Sequence, residues 1–361
     1  MKFKTSFFTR LYQLFLGYTL LVYALVYFAF SGHWIVGFLM ITFPVVLLIH
    51  FLFCLFWLFF KPRNALLPAL GVLLSFPFWP RTFGWHSAPA ETGKEISVLS
   101  YNVMSFDVGG YLNQKQLSNA RNLIDWTKTK EVDIKCLQEF YNNSKSEYFN
   151  TLNQFKAVNH PYHASLYGSP NQSEHNYFGL VILSKYPIVK TRNKVFENQN
   201  GMVYADIKIE KDTIRVINVH LRSMIVRFGG IKEAYKGKDY QQGKSETRKV
   251  LGKLKRGFIH HEKEVEQLME WINQSPHPVM VCGDFNETPY NYAYGQVRKR
   301  LSNAFEEAGT GFGFSYKNAP KFIRIDNQFF DPKKLEALDF QTLSEVKYSD
   351  HYPIVGRYKL L

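Results

Sequence analysis

The sequence predicts a layered α/β (α+β) domain, built on mixed β-sheet flanked by helices and preceded by N-terminal transmembrane helices. Three observations predict it. All thirty Asp and Glu residues lie beyond residue 81, so an acid-free apolar part is followed by one that carries charges of both signs. Short apolar runs rich in β-branched residues recur through the second part. Amphipathic stretches with helical spacing stand between some of those runs.

In the first 81 residues the only charged groups are Lys2, Lys4, Arg10, Lys61, Arg63 and Arg81. Stretches 11–30 and 35–60 contain no charge, and about 20 residues rising 1.5 Å each cross a hydrocarbon core. Both predict transmembrane helices. A third is placed at 64–80, shorter and interrupted by Pro68, Pro77 and Pro80, with a re-entrant or interfacial segment as the alternative. Positive charge orients the set: three basic residues precede the first helix, "SGHW" (31–34) has none, and "KPRN" (61–64) has two. The N-terminus and second loop then face the cytoplasm. With three spans, everything after Arg81 is extracytoplasmic; with two it would be inside.

Residues 82–95, including "HSAPAET", form a linker to a domain at 96–361. Strands are expected at 96–103, 132–140, 178–189, 202–209, 213–221 and 278–286, with "EKD" (210–212) as a hairpin turn. A stripe of Leu117, Ala120, Leu123, Ile124 and Thr127 predicts a helix at 117–130; Val265, Leu268, Met269 and Ile272 predict another at 261–274. Cys54 falls in a span, while Cys136 and Cys282 sit inside apolar runs, where a lone thiol acts as a small hydrophobe. No zinc or disulfide framework is present in the spacing. Between Arg222 and Arg256 eleven Lys/Arg face three acids, enough to account for the domain's whole positive excess. Such a segment suits phosphates or anionic headgroups, or is simply a solvated face.

Six apolar or strand-like segments end on groups that bind metal or move protons: "LSYN" on Asn102, "KCLQE" on Glu139, "RVINVH" on His220, "MVCGDFN" on Asp284 and Asn286, "RID" on Asp326, and "YSDH" on Asp350 and His351. Singly, Asn and Asp at such places are turn and cap residues. Together they offer the oxygen ligands that a hard divalent cation takes alongside water and substrate phosphate. The histidines supply proton carriers. The set fits hydrolysis of a phosphate ester.

The motifs "LSYNV", "DIKCLQE", "YFGLVILSKYPI", "INVHL", "VCGDFNETP", "RID" and "SDHYPI", in this order over nearly all of 96–361, resemble the endonuclease/exonuclease/phosphatase (DNase I-like) superfamily. The resemblance implies a four-layer sandwich, two packed sheets flanked by helices with the site at their edge. It implies Glu139 as the principal Mg²⁺ ligand (Mn²⁺ as a substitute), helped by Asn102 and Asp350. Asp284 and Asn286 match the pair that orients attacking water and scissile phosphate. His351 matches the histidine that takes a proton, oriented by Asp326, and His220 a second histidine that donates to a phosphoryl oxygen or leaving group. Tyr177 aligns with a phosphate-contacting tyrosine. Met104 replaces a carboxylate found in the abasic-site enzymes, which weakens a DNA-repair reading, and Lys135 stands where the family has an apolar residue. The expectation is an integral inner-membrane phosphoesterase acting on a phospholipid headgroup, a polyphosphate or nucleic acid. A membrane-tethered binding module with a degenerate site is the alternative.

Overall fold

Two six-stranded sheets packed face to face bury the apolar runs read from the sequence. The computed structural model describes residues 2–361 except 88–94, 114–116, 170–171, 198, 225–238 and 319–321. In chain order the strands are β1 (Gly84–Trp85), β2 (Glu95–Asn102), β3 (Ile134–Asn143), β4 (Tyr162–Tyr167), β5 (Asn176–Ser184), β6 (Ile188–Glu197), β7 (Asn200–Ile209), β8 (Asp212–His220), β9 (Val279–Asp284), β10 (Ser302–Asn303), β11 (Thr310–Gly311), β12 (Asp326–Phe330), β13 (Leu335–Thr342) and β14 (Ile354–Leu360). One sheet runs β13-β14-β2-β3-β5-β4, the other β10-β12-β9-β8-β7-β6, and β1 pairs with β11.

Each sheet holds one parallel pair, β2/β3 and β8/β9, with its other pairs antiparallel. Parallel neighbours need a crossover, usually a helix. The two amphipathic stretches of the sequence lie in those crossovers, Leu117–Thr129 between β2 and β3 and Tyr240–Asn273 between β8 and β9. Val98, Cys136, Ile182, Val203, Val216 and Cys282 interdigitate between the sheets, so both cysteines are core hydrophobes. Leu123 and Ile124 cover one outer face; Val265, Leu268 and Ile272 cover the other. Four layers result.

The run 178–189 is two strands, not one. β5 ends at Ser184 in one sheet and β6 begins at Ile188 in the other. Pro187 has no amide hydrogen for a ladder, and Lys185 instead donates its N–H to the Asp133 carbonyl, so the chain changes sheets there. Lys135 is fully buried: its Nζ donates to the carbonyls of Thr127 and Lys128, both at 2.8 Å, at the end of Leu117–Thr129. Those carbonyls have no intrahelical partner, and a cationic donor there also suits the helix dipole.

In the N-terminal part the helices are α1 (Lys2–Phe28), α2 (Trp34–Met40), α3 (Phe43–Phe60), α4 (Leu66–Leu73) and α5 (Trp79–Thr82). Among the described residues, Arg10–Phe28 and Trp34–Phe60 are long and apolar enough to cross a membrane. The expected third span at 64–80 is not one helix. α4 is only eight residues, about 12 Å at 1.5 Å each, and a turn at Leu74–Ser75 and a 3₁₀ turn at Phe76–Phe78 separate it from α5. Pro77 and Pro80 supply no amide hydrogens to continue the ladder. The segment still runs back alongside α1: Tyr23 donates its hydroxyl to Gly71 O at 3.1 Å and Phe43 meets Phe78 edge-on at 4.9 Å. The sandwich docks at that end. Phe43 stacks on Tyr290 at 4.4 Å, Thr82 Oγ1 lies 2.7 Å from the Tyr290 hydroxyl, and Arg81 donates to Pro289 O.

Burial, with Lys185 adding to it, lowers the Lys135 ammonium to about 7. The unfolded chain, with the ordinary lysine pKa, therefore binds more protons than the folded one above that value, and stability rises as pH climbs from about 7 toward 10. Thermal melts of the purified chain across this range should show a rising melting temperature, flattened in Lys135→Met. An identical pH slope in both proteins would count against the buried lysine.

Candidate active site

Strand register brings the predicted residues together. In the second sheet His220 lies opposite Asp284 on the neighbouring parallel strand, and Asp284 opposite Asp326 on the next antiparallel one. Three chain segments thus present His, Asp and Asp side by side at one sheet edge. Gly283 permits this: its φ is +147°, and a Cβ there would fall 1.9 Å from Val219 O. Asn286 follows at φ +51°, and its N–H donates to Asp284 Oδ1 at 2.8 Å while its side-chain Nδ2 donates to Leu221 O at 2.9 Å.

The first sheet supplies the other half. β3 pairs with β5 through a register break between Leu137 and Phe140, and Glu139, within it, sits at φ +51°. A bulge of this kind re-aims one side chain out of the alternation, and here it turns the Glu139 carboxylate to the cavity. Asn102, at the end of β2, donates its Nδ2 to Glu139 Oε1 at 3.3 Å and to Asp284 Oδ2 at 3.2 Å, joining the halves. Its Oδ1 accepts from Met104 N–H. The next four residues, Met104 to Asp107, all have positive φ, a left-handed run that costs roughly 1–2 kcal/mol per residue; Phe106, fully buried against Phe140, anchors it.

Asp350 and His351 enter on the loop before β14. Ser349 Oγ donates to the Asn102 carbonyl at 2.7 Å, holding that loop against β2. His351 Nδ1 lies 2.9 Å from Asp326 Oδ2, and its Nε2 is 3.6 Å from Asp284 Oδ2. His220 Nε2 is also 3.6 Å from that oxygen, and 3.9 Å from Glu139 Oε1. The two imidazoles therefore flank one carboxylate oxygen.

Electrostatics follow from burial and neighbours. Burial opposes charge on His351, but Asp326 and Asp284 outweigh it and lift the imidazolium to about 10. Burial, reinforced by Asp326, raises Asp284 to about 6 against the pull of the two histidines. His220 is lowered by burial, which Asp284 only partly offsets. Glu139 is raised by burial, with Asp350 adding and Asn102 and His351 opposing. Adjacent histidines are thus pushed in opposite directions, one toward the charged form and one toward the neutral.

A cavity of about 160 Å³ is lined by Glu139, His220, Asp284, Asn286, Asp350 and His351, and also by Ser223, Lys253 and Tyr316. Asn102 and Asp326 stand behind this wall, each bonded to residues that form it. Tyr177 is a correction to the sequence reading. Its ring is fully buried between Phe140 and Tyr167 and its hydroxyl is 3.1 Å from Ser165 Oγ, so it packs the core and does not line the cavity. Ser223, Lys253 and Tyr316 were not singled out by the sequence. Lys253 does fall in the basic segment 222–256, of which 225–238 lie outside the described residues. Tyr316, edge-on to His351 at 5.1 Å, carries no sequence signal.

The donor set suits a hard cation. Glu139 and Asp350 are half-buried carboxylates on the cavity, the oxygen chemistry that Mg²⁺ prefers. Asp284, Asp326 and His351 also place ligand atoms within 4.8 Å of one another. There, however, Asp326 Oδ2 is already engaged by His351, and all three groups are buried.

A two-sheet sandwich gathering carboxylates, amides and histidines at one edge defines the DNase I-like class of phosphoester hydrolases. The chain belongs to the Endonuclease/Exonuclease/phosphatase family, whose sequence model matches residues 99–351. Residues 5–82 match a domain of unknown function, DUF8431. No curated protein matches the chain. Among solved structures it is similar to the endonuclease/exonuclease/phosphatase from Bacteroides vulgatus (16% identity, TM-score 0.54, covering 74% of this chain and 100% of that one). It is similar also to D. rerio TDP2 complexed with single strand DNA product (16%, 0.51, 74% and 100%). A third is the endonuclease/exonuclease/phosphatase from Beutenbergia cavernae (12%, 0.51, 74% and 72%). At such identities the likeness is one of fold.

Two substitutions separate wall from core. Lys253→Ala should raise KM for an anionic phosphoester about tenfold with kcat held within about twofold, as expected for lost uniform binding. Tyr177→Phe should leave both constants within about twofold. Steady-state kinetics would expose an error if the tyrosine variant were the impaired one.

Proposed function

We propose that the chain is a membrane-anchored, Mg²⁺-dependent phosphoesterase that hydrolyses a phosphodiester or phosphomonoester by in-line attack of water. The observation that carries this reading is the meeting of Asn102, Glu139, Asp350 and His351 from one side of the sandwich with His220, Asp284, Asn286 and Asp326 from the other, around one cavity.

Glu139 and Asp350, with Asn102 orienting the first, would hold the divalent cation. When bound, it neutralises charge that develops on the phosphoryl oxygens. The protein's own groups do the rest. Asp284 has one oxygen fixed by the Asn286 N–H and the other facing both histidines, which places it to orient the attacking water and accept its proton. His351, sequence-matched to a proton acceptor, is instead held as an imidazolium by Asp326, so it donates to a phosphoryl oxygen. Asn286 and His220 contact the phosphate. The water oxygen bonds to phosphorus as the bond to the leaving oxygen breaks, and that oxygen leaves with a proton from the site or from solvent. Preorganised charge of this sort is worth about a hundredfold or more in rate per group.

Membrane anchoring belongs to the same proposal. Two apolar helices of spanning length, a third stretch that returns to the first two helices' sandwich-facing end, and basic residues at Lys61 and Arg63 on the far loop support an extracytoplasmic catalytic domain.

The purified chain should hydrolyse bis(p-nitrophenyl) phosphate with Mg²⁺, stop on chelation with EDTA and recover on adding metal. Glu139→Gln and His351→Ala should each lose about a hundredfold or more. If the wild type turned over no ester, the non-catalytic binding module would take its place; if both variants stayed within about threefold of the wild type, the residue assignment would be wrong.

A further inference from the structure

Both rims of the cavity lead to the part of the chain read as membrane-embedded. On one rim is the long helix Tyr240–Asn273. Lys253 faces the cavity, and two residues later Lys255 Nζ lies 4.3 Å over the ring of Trp34, the first residue of the second apolar helix stretch. Phe258 then meets Phe38 edge-on at 5.5 Å. Lys244, Arg248, Lys249 and Arg256 are exposed on the same helix, beside exposed Leu251 and Ile259.

The other rim is Tyr316, carried by the loop that follows β11. This loop holds a chain of aromatic contacts: Phe322 on Phe314, Phe314 stacked on Phe312, Phe312 on Phe83, and Phe83 on Trp85. Phe83 and Trp85 come directly after Arg81–Thr82, the docked end of the N-terminal part. Trp85 is 67% exposed, Phe322 74% and Phe312 51%. So much aromatic surface left open marks an interaction site, and tryptophan, Trp85 here and Trp34 under Lys255 on the other rim, is enriched at a membrane–water boundary.

We propose that this patch and the exposed basic helix sit in the headgroup layer of the membrane that anchors the chain, so that the site takes a phosphoester carried on a membrane lipid headgroup. The inference rests on the phosphoesterase reading. Continuity argues for the bilayer as occupant: on one rim Lys255 packs over Trp34 at the head of an apolar stretch, on the other Phe83 directly follows the helix Trp79–Thr82, and these apolar segments leave large side chains such as Phe59 (85% exposed) uncovered. The exposed lysines and arginines match anionic headgroups. Single-stranded nucleic acid also takes basic residues and stacks on aromatic rings, but the position of this patch where the chain leaves the apolar helices favours the bilayer.

The test uses the full chain in vesicles of phosphatidylcholine, phosphatidylethanolamine, phosphatidylglycerol and phosphatidylinositol, a tenth of them brominated at shallow depth. Emission lost in Trp85→Phe should be the bromine-quenched part. Headgroup phosphoester should be consumed, and Phe312→Ser/Phe322→Ser should lower that rate about tenfold while bis(p-nitrophenyl) phosphate turnover stays within about twofold. Unquenched Trp85, no lipid consumption by a protein that still cleaves the soluble ester, or preferred cleavage of single-stranded DNA would each overturn the inference. Loss of both activities in the double variant with Trp85 unquenched would do the same. A wild type inactive even on the soluble ester would sink the phosphoesterase reading itself.

Discussion

The site exists only while two sheets hold a fixed offset, because neither carries a complete set of groups. A buried polar clasp sets that offset. Gln138 donates across the sandwich to Asn218 Oδ1 at 2.7 Å, and Asn218 returns two bonds to the carbonyls of Leu137 and Val181. Gln138 immediately precedes Glu139, and Asn218 is two residues before His220, so the clasp lies directly behind the cavity. Apolar packing between sheets is non-directional and tolerates sliding. Hydrogen bonds at full burial do not, since each partner left unmade costs about 1–3 kcal/mol. A second clasp repeats the device: Gln328 reaches Val98 O and Ile354 O and accepts from the Tyr358 hydroxyl at 2.6 Å. Asp326 and Asn102 end the strands on which that clasp acts.

What the sequence makes legible follows the range of each interaction. Strand and helix patterns are local, and β2, β7, β8 and β9 fall where alternation and β-branching place them. The strand-end donors are legible too, because an Asp or His closing an apolar run contradicts burial unless something uses it. Geometry that depends on another segment is not legible. "FGLVILSKYPIV" shows no sign, beyond one proline, that its ends serve different sheets. Glu139 owes its aim to a bulge opposite β5, and the middle of Tyr240–Asn273 packs against the N-terminal part, where a Cβ on Gly37 would strike the Phe258 ring. Tyr177 shows the reverse error. Its alignment was plausible, but position within a motif says nothing of which face a strand turns inward.

The backbone departs from common conformations where the chemistry is concentrated. Glu139 and Asn286 both adopt left-handed φ, Gly283 in β9 approaches β8 where no side chain fits, and Met104 to Asp107 form a left-handed run next to Asn102. Such strain persists only where surroundings over-determine it. Here the surroundings are the clasps, the Phe106–Phe140 contact and the Ser349 bond to the Asn102 carbonyl. Residues that might relax are pinned by side chains outside the cavity, and that pinning holds Glu139, Asp284 and Asp350 at its wall.

The same logic extends to the junction with the N-terminal helices. Glu306, buried, takes a bidentate contact from Arg298 and accepts from the Tyr294 hydroxyl at 2.6 Å, with Arg81 Nε at 3.8 Å. Arg324 donates to Arg81 O at 2.7 Å and lies 3.8 Å over Phe305. A buried carboxylate shared among arginines is poor evidence of net stability, because desolvation offsets much of the attraction. Its consequence is orientation. Arg81 ends the helical part, while Arg298, Glu306 and Arg324 belong to the sandwich, and separating them would strand charges away from water. A simple tether would leave residues 82–95 free to point the domain anywhere; this junction fixes one face of the sandwich, and with it the cavity rims, against the ends of the apolar helices.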